Sequence, residues 1–493
     1  LGIIKKQSIS GSIYSYIGVG LGFLISGILF PNLLSKNEIG LLRILVSYST
    51  LLAQFAVLGF NTVTIKLFPN FRSTEKKHHG FLGLALLISL IGFIITVAIY
   101  LGLHHYIVNN AKDKSSLFIP YYYYVIPLLF FTLLFGIFDT YYRVLYNAVK
   151  GIIYKEVVQR SLIIVSVILY FFKLIDFHVL VILYTLAIIS PSLFLLAALA
   201  KDKLLFLKPD FSFIDKKLAK QMASVAFFGI VASYSGVLVV NIDLIMVDHY
   251  LGLSNVGIYT ITFFFGTLIL VPLRTMGKIS SVVIADAWKT NDLKTIMDIY
   301  RKSSLSLSVA GLLLLIGIWG NIDNIFKIIG TDYESGKYVI LFIALANITD
   351  VFLGVSPHII VNSPHYRWLS FLLIFFTILV IVTNYIFIPM YGIIGAALAS
   401  LISKAAYNMA KYLFLYWKWR FQPFTVKHLY LIAISIFTWY LSELIPPFNH
   451  FIIDIIIRSA IITLLFTTSV YYLKISNDIN TSINKIYHRL SGH

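Results

Sequence analysis

The 493-residue chain contains no cysteine, which excludes disulfide bridges and thiol catalysis. It is also poor in charge: Asp, Glu, Lys and Arg together make up 12% of it. Acids are the scarcer sign, 21 against 39 basic residues, for a net charge of +18. A phosphate-binding glycine loop and a GxSxG nucleophile elbow are missing. Neither His pair, His78–His79 or His104–His105, has a carboxylate at metal-site spacing. The chain is therefore read as a non-enzyme, with no catalytic residue, no metal and no organic cofactor expected.

Apolar residues are what it has in excess, at 59%. A soluble domain cannot hide that much apolar surface, and a helix needs about 20 apolar residues to cross a bilayer. Fourteen such segments follow one another: 9–34, 41–66, 81–103, 119–146, 157–174, 178–200, 221–249, 257–283, 303–320, 337–361, 368–389, 394–416, 428–446 and 453–473. These are continuous runs, not the alternating strands of a membrane barrel. The expected class is all-α, a polytopic membrane protein with fourteen transmembrane helices. The first run is too long for a signal peptide and continues into the bundle.

Basic residues fall mainly in every second gap. Lys66, Arg72, Lys76 and Lys77 follow helix 2; Lys201, Lys203, Lys208, Lys216, Lys217 and Lys220 lie between helices 6 and 7; Lys411, near the inner end of helix 12, is counted with Lys418, Arg420 and Lys427 after it. Arg43 and Arg458 are among the minority read on the outer side. This bias places both termini in the cytoplasm. It also accounts for the net charge without nucleic acid, since these residues would face anionic lipid headgroups. A reporter fused after His493 should be active only if it functions in the cytoplasm; a periplasmic signal there would overturn the orientation.

A weak duplication runs through the chain. At one constant offset Leu34 meets Leu251, Gly40 meets Gly257, Ile44 meets Ile261, Thr50 meets Thr267 and Leu51 meets Leu268. Repeats of equal orientation are related by an axis along the membrane normal. The expected organisation is an N-lobe of six helices over 1–200, a basic cytoplasmic linker over 201–220 and a C-lobe of six over 221–416. A helix pair over 417–473 and a cytoplasmic tail over 474–493 follow. Such lobes suit alternating access around a central cavity.

Ionisable groups inside spanning helices usually face a cavity or a partner. Arg274 and Lys278 share one face of helix 8, just after Pro272. Arg274 lies about 25 Å inward from Gly257 at 1.5 Å per residue, and Lys278 either joins it or snorkels to the interface. Lys404 lies about 15 Å into helix 12. Arg274 and Lys404 are expected to face a shared water-filled space. Asp243 and Asp350 are the buried acids, each either a structural partner or a proton or sodium site; Asp350 could neutralise Arg274. Asn61, Gln54, Asn241 and Asn347 offer donors and acceptors either for sugar hydroxyls or for neighbouring helices. Fixed cations with amides suit an anionic, hydroxyl-rich substrate, and arginine matches phosphate geometry.

Four stretches carry a resemblance: KKQSISGSIYSYIGVGLGFLISGILFPNLLSKNEIGLLRI, NIDLIMVDHYLGLSNVGIYTI, GTDYESGKYVILFIALANI and YGIIGAALASLISKAAYN. In their order and spacing they resemble the bacterial polysaccharide-biosynthesis flippases of the O-antigen type, within the multidrug/oligosaccharidyl-lipid/polysaccharide flippase superfamily. The likeness runs from about residue 5 to 416. It implies flipping of an undecaprenyl-pyrophosphate-linked oligosaccharide to the outer leaflet of the bacterial inner membrane, alongside glycan assembly machinery. It implies a cationic lumen onto which Arg274 and Lys404 map. Many members have twelve helices; helices 13 and 14 look like the extra pair of the lipid II flippase, which forms a lipid-facing groove. The rival readings are a multidrug and toxin extrusion antiporter, which would want an acidic cavity, and a membrane glycan polymerase, which would need a large outer loop.

Overall fold

The apolar segments are helical in a computed structural model that describes residues 2–476, 480, 481 and 484, with side chains from Ser10 onward except at 232, 275, 278, 279 and 282. The chain divides into two compact units, Leu1–Thr260 and Ile261–His493.

The first unit opens with α1 (Gly2–Phe23), which runs through a π turn into α2 (Phe30–Leu33). Then come α3 (Lys36–Ala56), α4 (Phe60–Phe71), α5 (Phe81–Gly102), the short α6 (His104–Lys114), α7 (Val125–Val144), α8 (Val149–Ile152), α9 (Gln159–Phe171), α10 (Phe177–Lys201) and the long α11 (Lys216–Leu251). Helix α12 (Leu253–Thr267) crosses the unit boundary. The second unit continues with α13 (Val271–Lys289), α14 (Leu293–Gly320), α15 (Ile322–Ile329), α16 (Lys337–Phe352), α17 (Ser356–Asn362), α18 (Arg367–Trp419), α19 (Val426–Glu443) and α20 (Phe451–Tyr472).

Eleven helices among the described residues are long and apolar enough to cross a membrane. All fourteen expected segments fall on helix, and the two counts are compatible. The 53-residue α18 is two helices: Gly392 breaks it with φ 59 and ψ −138, a conformation open to glycine because it has no Cβ. Its halves lie side by side, since Thr383 and Ser403 hydroxyls meet at 2.8 Å and the Phe376 and Tyr407 rings stack at 4.6 Å. In a straight helix Thr383 and Ser403 would be about 30 Å apart. The other two segments are α8–α9, joined through a π turn, and the 18-residue α19. Outward faces are apolar: Leu87, Leu90, Ile91 and Ile94 on α5 are all exposed at helical spacing, as expected when lipid is the solvent.

Three expected spans are interrupted. Segment 41–66 unwinds at Val57–Gly59, where Leu58 and Gly59 take positive φ. Helix α11 causes the need for glycine there: a Cβ on Gly59 would overlap the Ala226 carbonyl. Segment 257–283 tightens to a 3-10 turn at Leu268–Leu270 before Pro272, which starts α13 where its missing N–H costs nothing. Segment 337–361 breaks at Leu353–Val355, with Gly354 at φ 50.

The duplication has a structural counterpart inside the first unit. Helix α3 starts with a capping box, Ser35 accepting from Glu38 N at 3.3 Å and Glu38 from Ser35 N at 2.7 Å. Its Gly40 lies against the carbonyl of Leu253, the first residue of α12; Gly257 of α12 lies against the carbonyl of Lys36, the first residue of α3. The paired glycines thus touch paired residues. The unit extends past the linker expected at 201–220 because α11 packs on α3 and α4. That connection is itself docked. Asp210 N donates to His79 O at 3.1 Å, and the Asp210 carboxylate meets His79 Nδ1 at 3.0 Å. Hydrogen bonds from Ser212 and His79 pull the Asp210 carboxyl down to about 2.

Candidate functional site

In the second unit α16 and the second half of α18 bring together a charged cluster. Asn347 and Asp350 are one turn apart on α16. Lys404, Asn408 and Lys411 recur at i, i+4 and i+7 on α18, which puts all three on one face. Lys404 Nζ stands 2.8 Å from Asp350 Oδ2 and donates to Asn347 Oδ1 at 2.6 Å. Asn408 Nδ2 donates to Asp350 Oδ1 at 2.9 Å and to Thr349 Oγ1 at 2.6 Å. Asn347 in turn donates to Gly266 O at 2.9 Å and so ties α16 to α12.

Lys411 is the least expected member. Its side chain is 2% exposed, and its Nζ is 3.8 Å from Asp350 Oδ1. The ammonium also lies 4.4 Å from the Tyr407 ring centroid, a cation–π contact. Two ammonium groups therefore share one carboxylate, leaving a surplus positive charge. Asp350 is committed to the two lysines and is not the neutraliser of Arg274 that depth alone suggested. Lys411, counted above with the inner gap after helix 12, is buried within α18 instead. The i, i+4, i+7 stripe was the available signal for it.

The other expected residues make none of these contacts. Arg274 is exposed on α13 and forms no ion pair among the described residues. The Lys278 side chain lies outside the described set. Gln54 and Asn61 are half-buried on either side of the Val57–Gly59 break. Asn241 is buried and donates to Val237 O of its own helix at 2.9 Å. Asp243 is buried and accepts from the Tyr259 hydroxyl at 3.1 Å. Two groups escaped the sequence reading. Arg43, taken as an outer residue, sits in α3 with a buried Nε that has no partner among the described residues. Arg458, also read on the outer side, is buried in α20 and pairs with Asp454 at 3.4 Å.

The sequence matches the profile described as polysaccharide biosynthesis protein over residues 4–284, more than half of the chain. The chain belongs to the polysaccharide biosynthesis protein family. No curated protein matches its sequence. Among solved structures this family member is similar to the lipid II flippase MurJ in an inward closed conformation, with TM-score 0.73 at 16% identity, covering 94% of this chain and 99% of that one. It is also similar to an inward-facing multidrug resistance MATE family transporter of the MOP superfamily, with TM-score 0.62 at 16% identity, covering 80% of this chain and 93% of that one. A MOP superfamily transporter from Pyrococcus furiosus gives TM-score 0.56 at 15% identity over 83% of this chain and 95% of that one. These likenesses establish the fold. The chain is a multi-pass membrane protein with the fold of flippases and transporters. The family match contains Arg274, Asp243 and Asn241, whereas the Asp350–Lys404–Lys411 cluster lies beyond its end.

Proposed function

We propose that this protein flips an undecaprenyl-pyrophosphate-linked oligosaccharide from the inner to the outer leaflet of the bacterial cytoplasmic membrane. The observation that carries the reading is the surplus positive charge at Asp350, Lys404 and Lys411 in a member of a polysaccharide biosynthesis family. A phosphate or acidic sugar leaving water loses hydration, and fixed cations replace it. Arg274 and Lys404 would hold the anionic part of the substrate. Lys278 would join them, with Gln54, Asn61 and Asn241 offering amides to sugar hydroxyls. The polyprenyl chain would stay in lipid while the site is exposed to each side in turn, with both termini cytoplasmic. A proton or sodium gradient would drive the cycle. Because Asp350 is held by two lysines, we assign the coupling to Asp243. The multidrug-antiporter reading fits the fold, but the cluster's charge has the wrong sign for an organic cation.

The test is translocation of a labelled polyprenyl-pyrophosphate sugar in reconstituted vesicles. Arg274→Ala and Lys404→Ala should each slow it by roughly tenfold or more, since a hydrogen bond to a charged group is worth about 1.5–3 kcal/mol. Arg274→Lys should be intermediate, because it keeps charge but loses the planar fork. Lys404→Ala should fold normally, because Asp350 and Lys411 remain as a neutral pair. Normal translocation by the double Ala variant would refute the cationic site. Export of organic cations without glycan flipping would favour the drug antiporter.

A further inference from the structure

A second cationic site lies elsewhere in the second unit, where α14, the start of α19 and the end of α20 meet. A cavity of ≈ 230 Å³ there is lined by Arg301, Lys302 and Lys427 together with Leu305, Ser306 and Ser476. Its walls are tied together. Ser306 and Ser476 hydroxyls meet at 3.2 Å, and just behind them the buried Ser304 hydroxyl meets His428 Nε2 at 3.0 Å, joining α14 to α19. Two of the three cations are positioned by carbonyls. Arg301 Nε donates to Gln422 O at 3.0 Å, and Lys427 Nζ donates to Lys474 O at 2.8 Å. A carbonyl orients a cation without cancelling its charge. Asp298, one turn before Arg301 and Lys302 on α14, pairs with neither of them, and no carboxylate of the described residues is in ion-pair range of the three.

Oriented cations without a carboxylate partner among the described residues, sharing one basin with an apolar side chain, match the chemistry of a phosphate carrying a hydrocarbon chain. We propose that this basin binds an anionic glycerophospholipid of the bilayer. Its phosphate sits among Arg301, Lys302 and Lys427, its headgroup hydroxyls reach Ser306 and Ser476, and one acyl chain lies on Leu305. The lipid would fasten the α19–α20 pair to α14. A free phosphate would use the cations but not Leu305, and a zwitterionic lipid would bring its own cation to a positive site.

The full chain in nanodiscs tests this by native mass spectrometry and thermal unfolding, with phosphatidylglycerol titrated into phosphatidylcholine. The wild type should retain one phosphatidylglycerol, and its melting temperature should rise with the anionic fraction, because a ligand that binds only the folded state stabilises it. The R301Q/K302Q/K427Q variant should lose affinity by roughly a hundredfold, on the order of fivefold per basic residue near the surface. It should melt like the wild type in phosphatidylcholine alone, which separates lost binding from misfolding. Leu305→Asn keeps all three cations and should weaken lipid retention without admitting inorganic phosphate in its place. Equal retention by the triple variant, or equal stabilisation by phosphatidylcholine, would overturn the site. Equal stabilisation by inorganic phosphate would assign it to a free anion, and displacement of phosphatidylglycerol by polyprenyl pyrophosphate would assign it to substrate; either defeats the proposal.

Discussion

Asp350→Asn will destabilise the protein more than any other single change in the charged cluster. Lys404 at 2.8 Å and Lys411 at 3.8 Å both depend on this carboxylate, and Lys411 is almost fully buried. Removing the acid leaves two ammonium groups facing each other in a low-dielectric interior. Breaking a buried pair by deleting one partner costs about 3–5 kcal/mol, because the remaining charge is uncompensated. Here two charges remain, so the loss should reach the upper end of that range. The distinctive expectation is rescue by charge balance: Asp350→Asn with Lys411→Met should recover much of the loss. Lys411→Met alone should be mild, since Lys404 still balances Asp350. Yield and thermal unfolding in detergent measure all three. An Asp350→Asn protein as stable as the wild type, or a double variant worse than the single, would show that the three groups do not share charge.

The second large effect is at the paired glycines. Gly40→Ala places a methyl on the Leu253 carbonyl, and Gly257→Ala places one on the Lys36 carbonyl. Neither obstacle is a flexible side chain; each is backbone at the first residue of a helix. Helices α3 and α12 must separate to admit the methyl, and overpacking of this kind costs typically about 1–3 kcal/mol. The two substitutions should not add. Once one methyl has parted the helices, the second finds room already made, so the double variant should be less damaged than the sum. The absence of cysteine allows a direct readout. A single cysteine at Ser254, in the first turn of α12, should label faster with a water-soluble maleimide in either glycine variant than in its parent. Unchanged labelling and an unchanged melting temperature would mean that the contact does not hold these helices together.

The spread between these sites shows what kinds of information a sequence carries. Hydropathy is a property of neighbouring residues, so every expected segment is largely helical, with breaks in three of them. The offset that pairs Gly40 with Gly257 was visible in the order of residues, and the contacts at Leu253 and Lys36 obey it. Helix breaks were less legible. Pro272 announced the one before α13, but the break at Leu58 and Gly59 lies where the carbonyl of Ala226, far along the chain, leaves no room for a Cβ.

Choice of partner was not legible at all. Depth made Arg274 as eligible for Asp350 as Lys404 was, and only the packing of α16 on α18 selected two lysines and left Arg274 exposed. Lys411 was counted with the cytoplasmic residues because basic residues near helix ends usually mark the inner side, a rule about averages that a single buried ammonium escapes. By itself, then, the sequence determined an all-helical membrane chain, because segment length and apolarity act locally. The tertiary structure decided which charges meet and where helices unwind. Those depend on distances between residues far apart in the chain, and Coulomb energy in a low-dielectric interior changes steeply over such distances.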